Sequence, residues 1–424
     1  MKTSLVAALL AFSAAFVAAE ADGVTLQLDQ VKQRYPWNGL VDIDYTITDD
    51  GVVDIDDNLE VLMVDKSDSS AVTNRALTFL QAPLPMTAGS HRITWDANAD
   101  GVTNYTARAE FHIKIVHYSE SYMVIDVSGG STATTYPVDF LIGIPAEGFG
   151  TFDYKGPKIV LRRIRPGSYL AGSPANEANR TMVGDETQHR VALSKPFYIG
   201  IYEITVGQYA RVMGGTFEDK ATYRRPMTGV TYNNVRGGTW PSATAPSKGT
   251  FMDKLIQKCK SKNPDTGVYE VALTGFDLPT EFQWEYACRA GTTGAFNTQN
   301  AYDNTSPSEQ EAQLALLGRF EGNKNDGEGG YSGDFTVVGF YEPNAWGLYD
   351  MHGNVYEWCR DRYMKAITTL NQFVDPEGPT SGDDRVRRGG GVGAACYCRS
   401  AYRTMSGSNS ALSNLGFRLS FDVR

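Results

Sequence analysis

The first third of the chain alternates between apolar and polar residues with a period of two. In the range 41–47 the odd positions are apolar and the even positions are aspartate or threonine, and the range 111–115 alternates in the same way. This alternation is typical of β-strands that bury one face. Apolar runs bounded by Asp, Gly, Ser and Pro clusters predict further strands at 59–64, 76–80 and 91–95.

No helical pattern interrupts these strands, so the sequence predicts an N-terminal all-β, immunoglobulin-like sandwich over residues 22–118. The run 96–101 begins like the calcium loop of an EF-hand, but Ala107 stands where that loop needs its bidentate glutamate. We therefore interpret this run as a hairpin turn. A stretch rich in Gly, Ser and Thr at 128–135 marks a linker with joining strands over residues 119–157.

Beyond residue 157 the pattern changes to short helices among strands and long glycine-rich loops. Three helices are predicted, over 206–213, 251–260 and 281–289, because each follows a threonine that can accept from the free N–H groups of the first turn. The threonines and their partners three positions later are Thr205 with Gln208, Thr250 with Asp253, and Thr280 with Gln283. The third helix places Phe282 and Tyr286 on one face and Trp284 on another, which predicts core on more than one side.

Length and charge limit the classes of protein. The chain has 424 residues, too many for one ordinary domain, and its 42% hydrophobic content supports two full-sized cores. The net charge of -10 at pH 7 argues against a general binder of nucleic acid or of anionic membranes.

The N-terminus predicts export. Lys2 precedes an apolar run at 5–17, and small residues at 17–19 form a cleavage site, so residues 1–19 are predicted to be a signal peptide and Glu20 the first mature residue. No later apolar stretch reaches the roughly 18 residues that a membrane-spanning helix requires. The sequence therefore predicts a protein without a membrane span, secreted or periplasmic.

Cysteines occur only in the second half of the chain. They are Cys259, Cys288, Cys359, Cys396 and Cys398. In an oxidising compartment some of them are expected to form disulfides, and the odd number leaves at least one thiol over unless a second chain takes it.

The segment 347–360 carries the strongest candidate metal chemistry. Asp350 and Glu357 flank a tight turn at Gly353, so side-chain and main-chain oxygens can converge on one small space. Ca²⁺ takes roughly six to eight oxygen ligands and commonly combines carboxylates with backbone carbonyls. The alternative interpretation is a turn that only leads the aromatic pair Tyr356 and Trp358 into a core.

Seven motifs resemble the formylglycine-generating enzyme, or sulfatase-modifying-factor, family, and they occur in the order that the family has. They lie at 167–174, 186–191, 197–205, 278–291, 347–359, 388–390 and 414–418. The resemblance covers about 158–421 and predicts a domain over 158–424. It implies an α+β, loop-rich, C-type-lectin-like fold.

The resemblance also implies a calcium site. In the family's enzymes Ca²⁺ is held by an Asn or Asp side chain, two backbone carbonyls and a Glu, and the matching residues here are Asp350, Gly353, Val355 and Glu357. The family's other calcium site would lie in the loop 318–335. Arg319 and Phe320 stand at its ligand positions, so we do not carry that site over.

Active members of the family oxidise a sulfatase cysteine to formylglycine with O₂, using two cysteines that bind Cu⁺ as thiolates. Neither position is matched here, and Ala395 stands in place of the second. Cys396 and Cys398 are the remaining candidates. If their segment is a strand, both point to one face and could share a metal. The alternative is a disulfide from one of them to Cys288 or Cys359. The side chains of Arg399, Tyr402 and Arg403 would then line or brace the cleft that holds the active site in the family's enzymes.

Two functions from different classes follow. The first, which we favour, is an extracytoplasmic interaction protein whose formylglycine-generating-enzyme-like domain is catalytically silent and binds a protein or glycan partner. The second is an active copper-dependent oxidase that makes formylglycine in exported sulfatases. The geometry of Cys396 and Cys398 decides between them, because the scaffold hosts both binding and chemistry.

Overall fold

The computed structural model divides the chain into two units, Met1–Tyr118 and Ser119–Arg424. The residues that it describes are 19–21, 24–34, 39–49, 57–65, 89–98, 109–117, 120–178, 180, 186–215, 221–297, 307–324, 335–366 and 374–423. Residues 1–18 lie outside these ranges, so the signal peptide stays a prediction. Within them no helix is long and apolar enough to cross a membrane.

The first unit is built from antiparallel strands. They are β1 (Ala19–Ala21), β2 (Val24–Gln33), β3 (Leu40–Asp49), β4 (Asp57–Asp65), β5 (Gly89–Asp96) and β6 (Ala109–His117). One sheet has the order β1-β2-β3-β5, and β4 pairs with β6. The apolar positions of β3 are buried, with Val41, Ile43 and Tyr45 each 0% exposed. This confirms the period-two pattern at 41–47.

The strands predicted at 59–64, 91–95 and 111–115 are confirmed as β4, β5 and β6. The strand predicted at 76–80 lies outside the described residues, as does most of the hairpin predicted at 96–101. Strand β2 was not predicted, although Leu26 and Leu28 on its inner face are buried. The immunoglobulin-like sandwich stays a prediction.

The second unit is mostly β-structure with short helices. Its described strands are β7 (Tyr122–Asp126), β8 (Tyr136–Leu141), β9 (Lys158–Ile164), β10 (Gly167–Ala171), β11 (His189–Leu193), β12 (Phe197–Gly200), β13 (Cys259–Lys262), β14 (Tyr269–Ala272), β15 (Phe276–Asp277), β16 (Tyr356–Arg362), β17 (Asp384–Arg388), β18 (Thr404–Gly407), β19 (Leu415–Gly416) and β20 (Ser420–Asp422). Its described helices are α1 (Phe152–Lys155), α2 (Val206–Met213), α3 (Tyr232–Val235), α4 (Phe251–Lys258), α5 (Glu281–Arg289) and α6 (Pro307–Leu317).

Two strands of the main sheet lie within residues 119–157, for which the sequence predicted a linker with joining strands. The order of the main sheet is β14-β13-β8-β7-β9-β12-β20-β15, which places β7 and β8 in the interior of the sheet. Met123 and Ile125 pack into the core on one face, and Tyr122 and Val124 pack into the core on the other. A strand that buries both faces loses the alternating pattern that marks an exposed sheet, and the Gly/Ser/Thr composition nearby favoured a linker instead.

The capping threonines predicted the helices correctly. Thr205 and Thr280 each form a capping box with the residue three positions on, and Thr250 accepts from the N–H of Asp253. Helix α4 ends at Lys258, two residues earlier than expected, because Cys259 begins a strand that pairs with β8. In α5 eight of nine residues are buried, which confirms a helix surrounded by core.

A second sheet, with the order β18-β17-β16-β19, carries the candidate chemistry. Strand β16 begins at Tyr356, directly after the turn at Gly353, and β17 leads into the glycines at 389–391. An isolated bridge joins Gly353 to Gly390. Most of the candidate metal ligands therefore lie in the turn before β16, and the candidate cysteines lie in the loop that follows β17, its neighbour in the sheet.

Candidate functional site

The acidic turn, residues 350–357, is held by backbone in the left-handed region. Asp350, Gly353 and Asn354 have φ values of 56°, 98° and 56°. A Cβ on Gly353 would lie 2.2 Å from the carbonyl oxygen of Arg319, so a side chain cannot fit there. The N–H of Gly353 donates to the carbonyl of Gly389 at 2.7 Å. The turn is thus fixed against two neighbouring segments.

Asp350 keeps one carboxylate oxygen without a partner. It is 1% exposed, and its Oδ2 accepts from the N–H of Gly339 at 2.6 Å. Its Oδ1 is buried and has no hydrogen-bond partner. Burial raises the pKa of this carboxyl, and the N–H of Gly339 opposes that shift. A buried oxygen of this kind is expected to have a partner, so a proton or a cation fits here.

Glu357 has a different environment. Both of its oxygens accept from Arg418, at 2.6 Å from Nη2 to Oε1 and 2.6 Å from Nε to Oε2. The indole Nε1 of Trp284 also donates to Oε2, at 2.9 Å. Glu357 is therefore the counter-ion of Arg418, and its charge is balanced within the protein. Val355, the predicted ligand beside it, is fully buried.

Glu203 also belongs to this site, and sequence reasoning did not single it out. It lies just before α2 and is 1% exposed. Its Oε1 accepts from the side-chain amide of Asn354 at 3.1 Å, and its Oε2 has no partner. Burial and then the charge of Asp350 raise the pKa of Glu203 well above its usual range. The only available signal was its place inside the motif 197–205.

These residues fit a bound calcium ion only in part. Unpartnered oxygens on Asp350 and Glu203 suit a hard cation. Glu357 does not, because Arg418 occupies both of its oxygens. Throughout the described part of the chain, no three Asp, Glu, His or Cys side chains are arranged to hold a metal. A cation at the acidic turn would therefore depend on neutral oxygens as well as on the two carboxylates.

In the loop where the resemblance would place a second calcium site, the guanidinium of Arg319 binds the backbone carbonyls. Arg319 is fully buried, and its Nη1 donates to the carbonyl of Asn323 at 2.6 Å. Its Nη2 donates to the carbonyl of Lys324. These carbonyls, which could face a cation, therefore accept from a side chain of this protein.

Cys396 and Cys398 do not lie on a strand, so the condition under which both would point to one face is not met. They lie at a 3-10 turn over Ala395–Tyr397. Cys398 is 0% exposed, and its Sγ faces the carbonyl of Gly391 at 3.5 Å. Burial raises the pKa of the Cys398 thiol strongly. Cys396 is half-buried, and burial raises its pKa as well, against an opposing effect of Arg399.

The predicted disulfide is also wrong, since all five cysteines are free thiols. Cys288 Sγ lies 3.7 Å from Ser400 Oγ and 3.7 Å from His352 Nε2. Helix α5 therefore does approach the C-terminal segment, but it meets a serine there. Cys398 contacts the carbonyls of its own turn.

His352 is a second residue that sequence reasoning passed over. It is 1% exposed, and its Nδ1 lies 2.8 Å from the carbonyl oxygen of Cys398. Its Nε2 accepts from the N–H of Asn297 at 3.2 Å. Burial lowers the pKa of His352 to about 4. A neutral imidazole that donates from Nδ1 and accepts at Nε2 satisfies both contacts, so His352 ties the acidic turn to the cysteine turn.

Arg399 and Arg403 brace the cysteine turn from inside. Arg399 donates from Nη2 to Glu186 at 2.8 Å, and Arg403 donates from Nη2 to Glu281 at 2.8 Å. Tyr402 is buried against Tyr397, with ring centroids 5.1 Å apart. These side chains are therefore committed to the interior, and they do not offer free charges to a substrate.

A cleft of about 290 Å³ lies elsewhere on the unit. Trp240, Thr280 and Arg360 are among its lining residues, and none of the predicted metal ligands or candidate cysteines belongs to it. It therefore adds no support to catalysis at Cys396 and Cys398.

Comparison with known families and proteins agrees with the predicted family. A family model described as the sulfatase-modifying factor enzyme 1-like domain matches residues 155–423. The formylglycine-generating enzyme of Mus musculus is 38% identical over 192 residues, which are 44% of this chain and 50% of that protein. The chain thus spans about half the length of this relative. The enzyme of Bos taurus is 27% identical over 56% of this chain and 69% of that protein.

Other similar proteins carry different names. The chaperone protein LppX of Paenibacillus barcinonensis is 27% identical over 50% of this chain and 75% of that protein. Among solved structures, PvdO from Pseudomonas aeruginosa is 23% identical with a TM-score of 0.46, over 62% of this chain and 94% of that one. The prediction of the family from its motifs is confirmed by the domain match.

Proposed function

Because the chain belongs to the sulfatase-modifying factor enzyme 1-like family, we propose that it is a catalytically silent member that works outside the cytoplasm and binds a protein or glycan partner. The location rests on the predicted signal peptide at residues 1–19. A secreted or periplasmic product that begins at Glu20, identified by intact-mass measurement, is the expected evidence for export.

The observation that carries this proposal is the state of the two candidate cysteines. Formylglycine formation in the family uses a pair of thiolates that bind Cu⁺ and meet a substrate thiol. Here Cys398 is 0% exposed, and burial raises the pKa of its thiol, which disfavours the thiolate. Only Cys396 reaches solvent. One accessible thiol does not supply the pair that the reaction needs.

The alternative is an active copper-dependent oxidase that acts on a sulfatase cysteine. Its support is the similarity to the formylglycine-generating enzymes of Mus musculus and Bos taurus. Proteins with other names are also similar to this chain, among them the chaperone protein LppX of Paenibacillus barcinonensis. Membership of the family therefore does not identify the reaction. The reaction has to be inferred from the chemistry of the site.

Calcium belongs to the proposal as well. We expect Ca²⁺ at the acidic turn, and the ligand set that the family implies is Asp350, Gly353, Val355 and Glu357. The unpartnered oxygen of buried Asp350 supports a cation at this place. A cation that binds only the folded state stabilises that state. Ca²⁺ should therefore raise the melting temperature, and EDTA should lower it.

A measurement of copper binding tests the proposal independently of catalytic turnover. Reduced protein is titrated with Cu⁺ against a chromogenic Cu⁺ chelator, and the variants Cys396→Ser and Cys398→Ser are titrated alongside. We expect no stoichiometric Cu⁺ that depends on both residues. One Cu⁺ per chain that is lost in each variant would favour the oxidase.

A further inference from the structure

The cleft of about 290 Å³ contains a polar network whose members hold one another in place. Arg360 is 4% exposed, and its Nη1 donates to Asp422 Oδ2 at 2.9 Å. Gln283 Nε2 donates to the other oxygen of Asp422 at 3.1 Å, and Gln283 Oε1 accepts from the N–H of Thr280 at 2.9 Å. All four residues line the cleft. A ligand would therefore meet polar groups that the fold has already oriented.

Arg360 is fixed from two further sides. Its Nε donates to the carbonyl of Leu278 at 2.9 Å, and its Cζ lies 4.6 Å from the ring centroid of Trp240. Trp240 Nε1 in turn donates to the carbonyl of Glu377 at 3.2 Å. The Nη2 of Arg360 is buried and has no hydrogen-bond partner among the described residues. Since buried donors are normally paired, this guanidinium keeps a donor for a partner from outside the chain.

The charges that line the cleft nearly balance. They are the cations Lys195 and Arg360 and the carboxylates Asp375, Glu377 and Asp422. Asp422 is the ion-pair partner of Arg360, and Asp375 accepts from the hydroxyl and the backbone N–H of the serine before Lys195. Lys195 and Glu377 are exposed and have opposite charges. A strongly charged ligand of either sign would meet a like charge here, whereas a neutral ligand with hydroxyl groups can use both the donors and the acceptors.

Apolar surface also belongs to the cleft. Pro196 and Val423 are half-buried, and Trp240 is 5% exposed. Pockets for small molecules combine apolar walls with a few placed polar groups, and their volumes run from roughly 300 to 1,000 Å³. The volume of this cleft lies at the lower end of that range, which suits a small sugar. A sugar presents hydroxyls at its edge and C–H groups on its faces, so it can use both kinds of surface.

We infer that this cleft binds a neutral carbohydrate, whose hydroxyls donate to Asp422 and Glu377 and accept from Arg360, with its C–H face against Pro196 and Val423. This inference rests on the proposed binding function, and it names the class of partner and the place where that partner binds. Calcium takes no part in it, because none of the predicted metal ligands lines the cleft.

The test is a glycan array probed with the mature protein in EDTA, followed by isothermal titration with the neutral glycan that gives the strongest signal. Val423→Trp places an indole in the cleft, and Glu377→Ala removes an exposed acceptor. Val268→Trp is the matched control, since Val268 is 55% exposed and does not line the cleft. We expect saturable binding by the wild type, no binding by Val423→Trp, about a tenfold loss of affinity in Glu377→Ala, and an affinity within about twofold of the wild type in Val268→Trp.

The outcomes separate this inference from the proposed function. If a neutral glycan binds the wild type, Val423→Trp and Glu377→Ala equally well, its assignment to this cleft is overturned while glycan binding stands. Binding that requires Ca²⁺ would overturn the inference as well. If no neutral glycan on the array binds, the inference fails, and the partner in the proposed function has to be a protein. Should Val423→Trp fail to fold, as thermal unfolding would show, Glu377→Ala still decides, because its side chain is exposed.

Discussion

Arg418 donates to both carboxylate oxygens of Glu357, at 2.6 Å from Nη2 to Oε1 and at 2.6 Å from Nε to Oε2, and neither side chain is exposed to solvent. The pair joins the strand after the acidic turn to the C-terminal segment of the chain. It removes Glu357 from the residues free to bind a metal. The stability of the unit also depends on the pair, because loss of either side chain would leave the other charge buried without a partner.

Arg418→Met should therefore be strongly destabilising. Removal of one partner leaves Glu357 as an uncompensated buried charge, which we expect to lower the free energy of unfolding by about 3–5 kcal/mol. Urea denaturation in EDTA measures this effect without a contribution from metal. The double variant Arg418→Met/Glu357→Gln should recover more than half of the loss. Equal losses in the single and double variants would contradict this account of the pair.

Gly353→Ala should be more damaging than an alanine at an open glycine. The new Cβ would lie 2.2 Å from the carbonyl oxygen of Arg319, at a φ of 98°. Gly229 is a matched control, since its φ is 69° and no atom lies within 4 Å of a Cβ there. Both variants carry the cost of a left-handed residue, about 1–2 kcal/mol, so the difference between their unfolding free energies reports the steric clash. Equal unfolding free energies for the two variants would contradict the close packing of the turn.

Asp361 should make the protein less stable as pH rises. It is 0% exposed, its Oδ2 accepts from the N–H of Glu281 at 2.7 Å, and its Oδ1 has no partner. Burial and then the charge of Glu281 raise the pKa of Asp361 to about 7. The folded state then holds a proton that the unfolded state releases at lower pH, so stability falls between about pH 4 and pH 7. Asp361→Asn should flatten this part of the stability curve and stabilise the protein at pH 8.

The control for this titration is Asp383→Asn, because Asp383 is exposed. We expect its stability curve from pH 4 to pH 8 to follow that of the wild type. If Asp361→Asn also follows the wild type, the raised pKa of Asp361 is wrong.

The thiols should differ in reactivity. Cys396 is half-buried, whereas Cys259, Cys288, Cys359 and Cys398 are buried. In the native state we expect one thiol per chain to react with Ellman's reagent, and the other four only after unfolding. Cys396→Ser should abolish the native reaction, and Cys398→Ser should leave it intact. Two thiols that react rapidly in the native protein would indicate an accessible pair.

Local signals predicted the helices, whereas the charged pairs could not be predicted. A threonine and its partner three positions away lie within one turn, so the cap at Thr280 can be identified from adjacent residues. Glu357 and Arg418 are 61 residues apart, and only the folded chain brings them together. The motif 414–418 contains Arg418, but the sequence of the motif did not indicate with which carboxylate Arg418 would form an ion pair.

The site residues were only partly predictable for the same reason. The turn at Gly353 is marked by local sequence, and its left-handed backbone agrees with that prediction. Glu203 joins the turn through Asn354, a contact across 151 residues. The conformation at Cys396 and Cys398 stayed open in the sequence, because a residue spacing of two does not distinguish a strand from the tight 3-10 turn that the chain forms after its glycines.

The most direct measurement for the proposed function is oxidation of a substrate peptide. Copper-loaded protein is incubated under O₂ with a sulfatase-derived peptide that contains Cys-x-Pro-x-Arg, and mass spectrometry monitors the mass change of aldehyde formation. The formylglycine-generating enzyme of Mus musculus serves as the positive control, and the same peptide with serine in place of cysteine as the negative control. We predict no aldehyde above the negative control. Aldehyde formation that disappears in Cys396→Ser or Cys398→Ser would contradict catalytic silence.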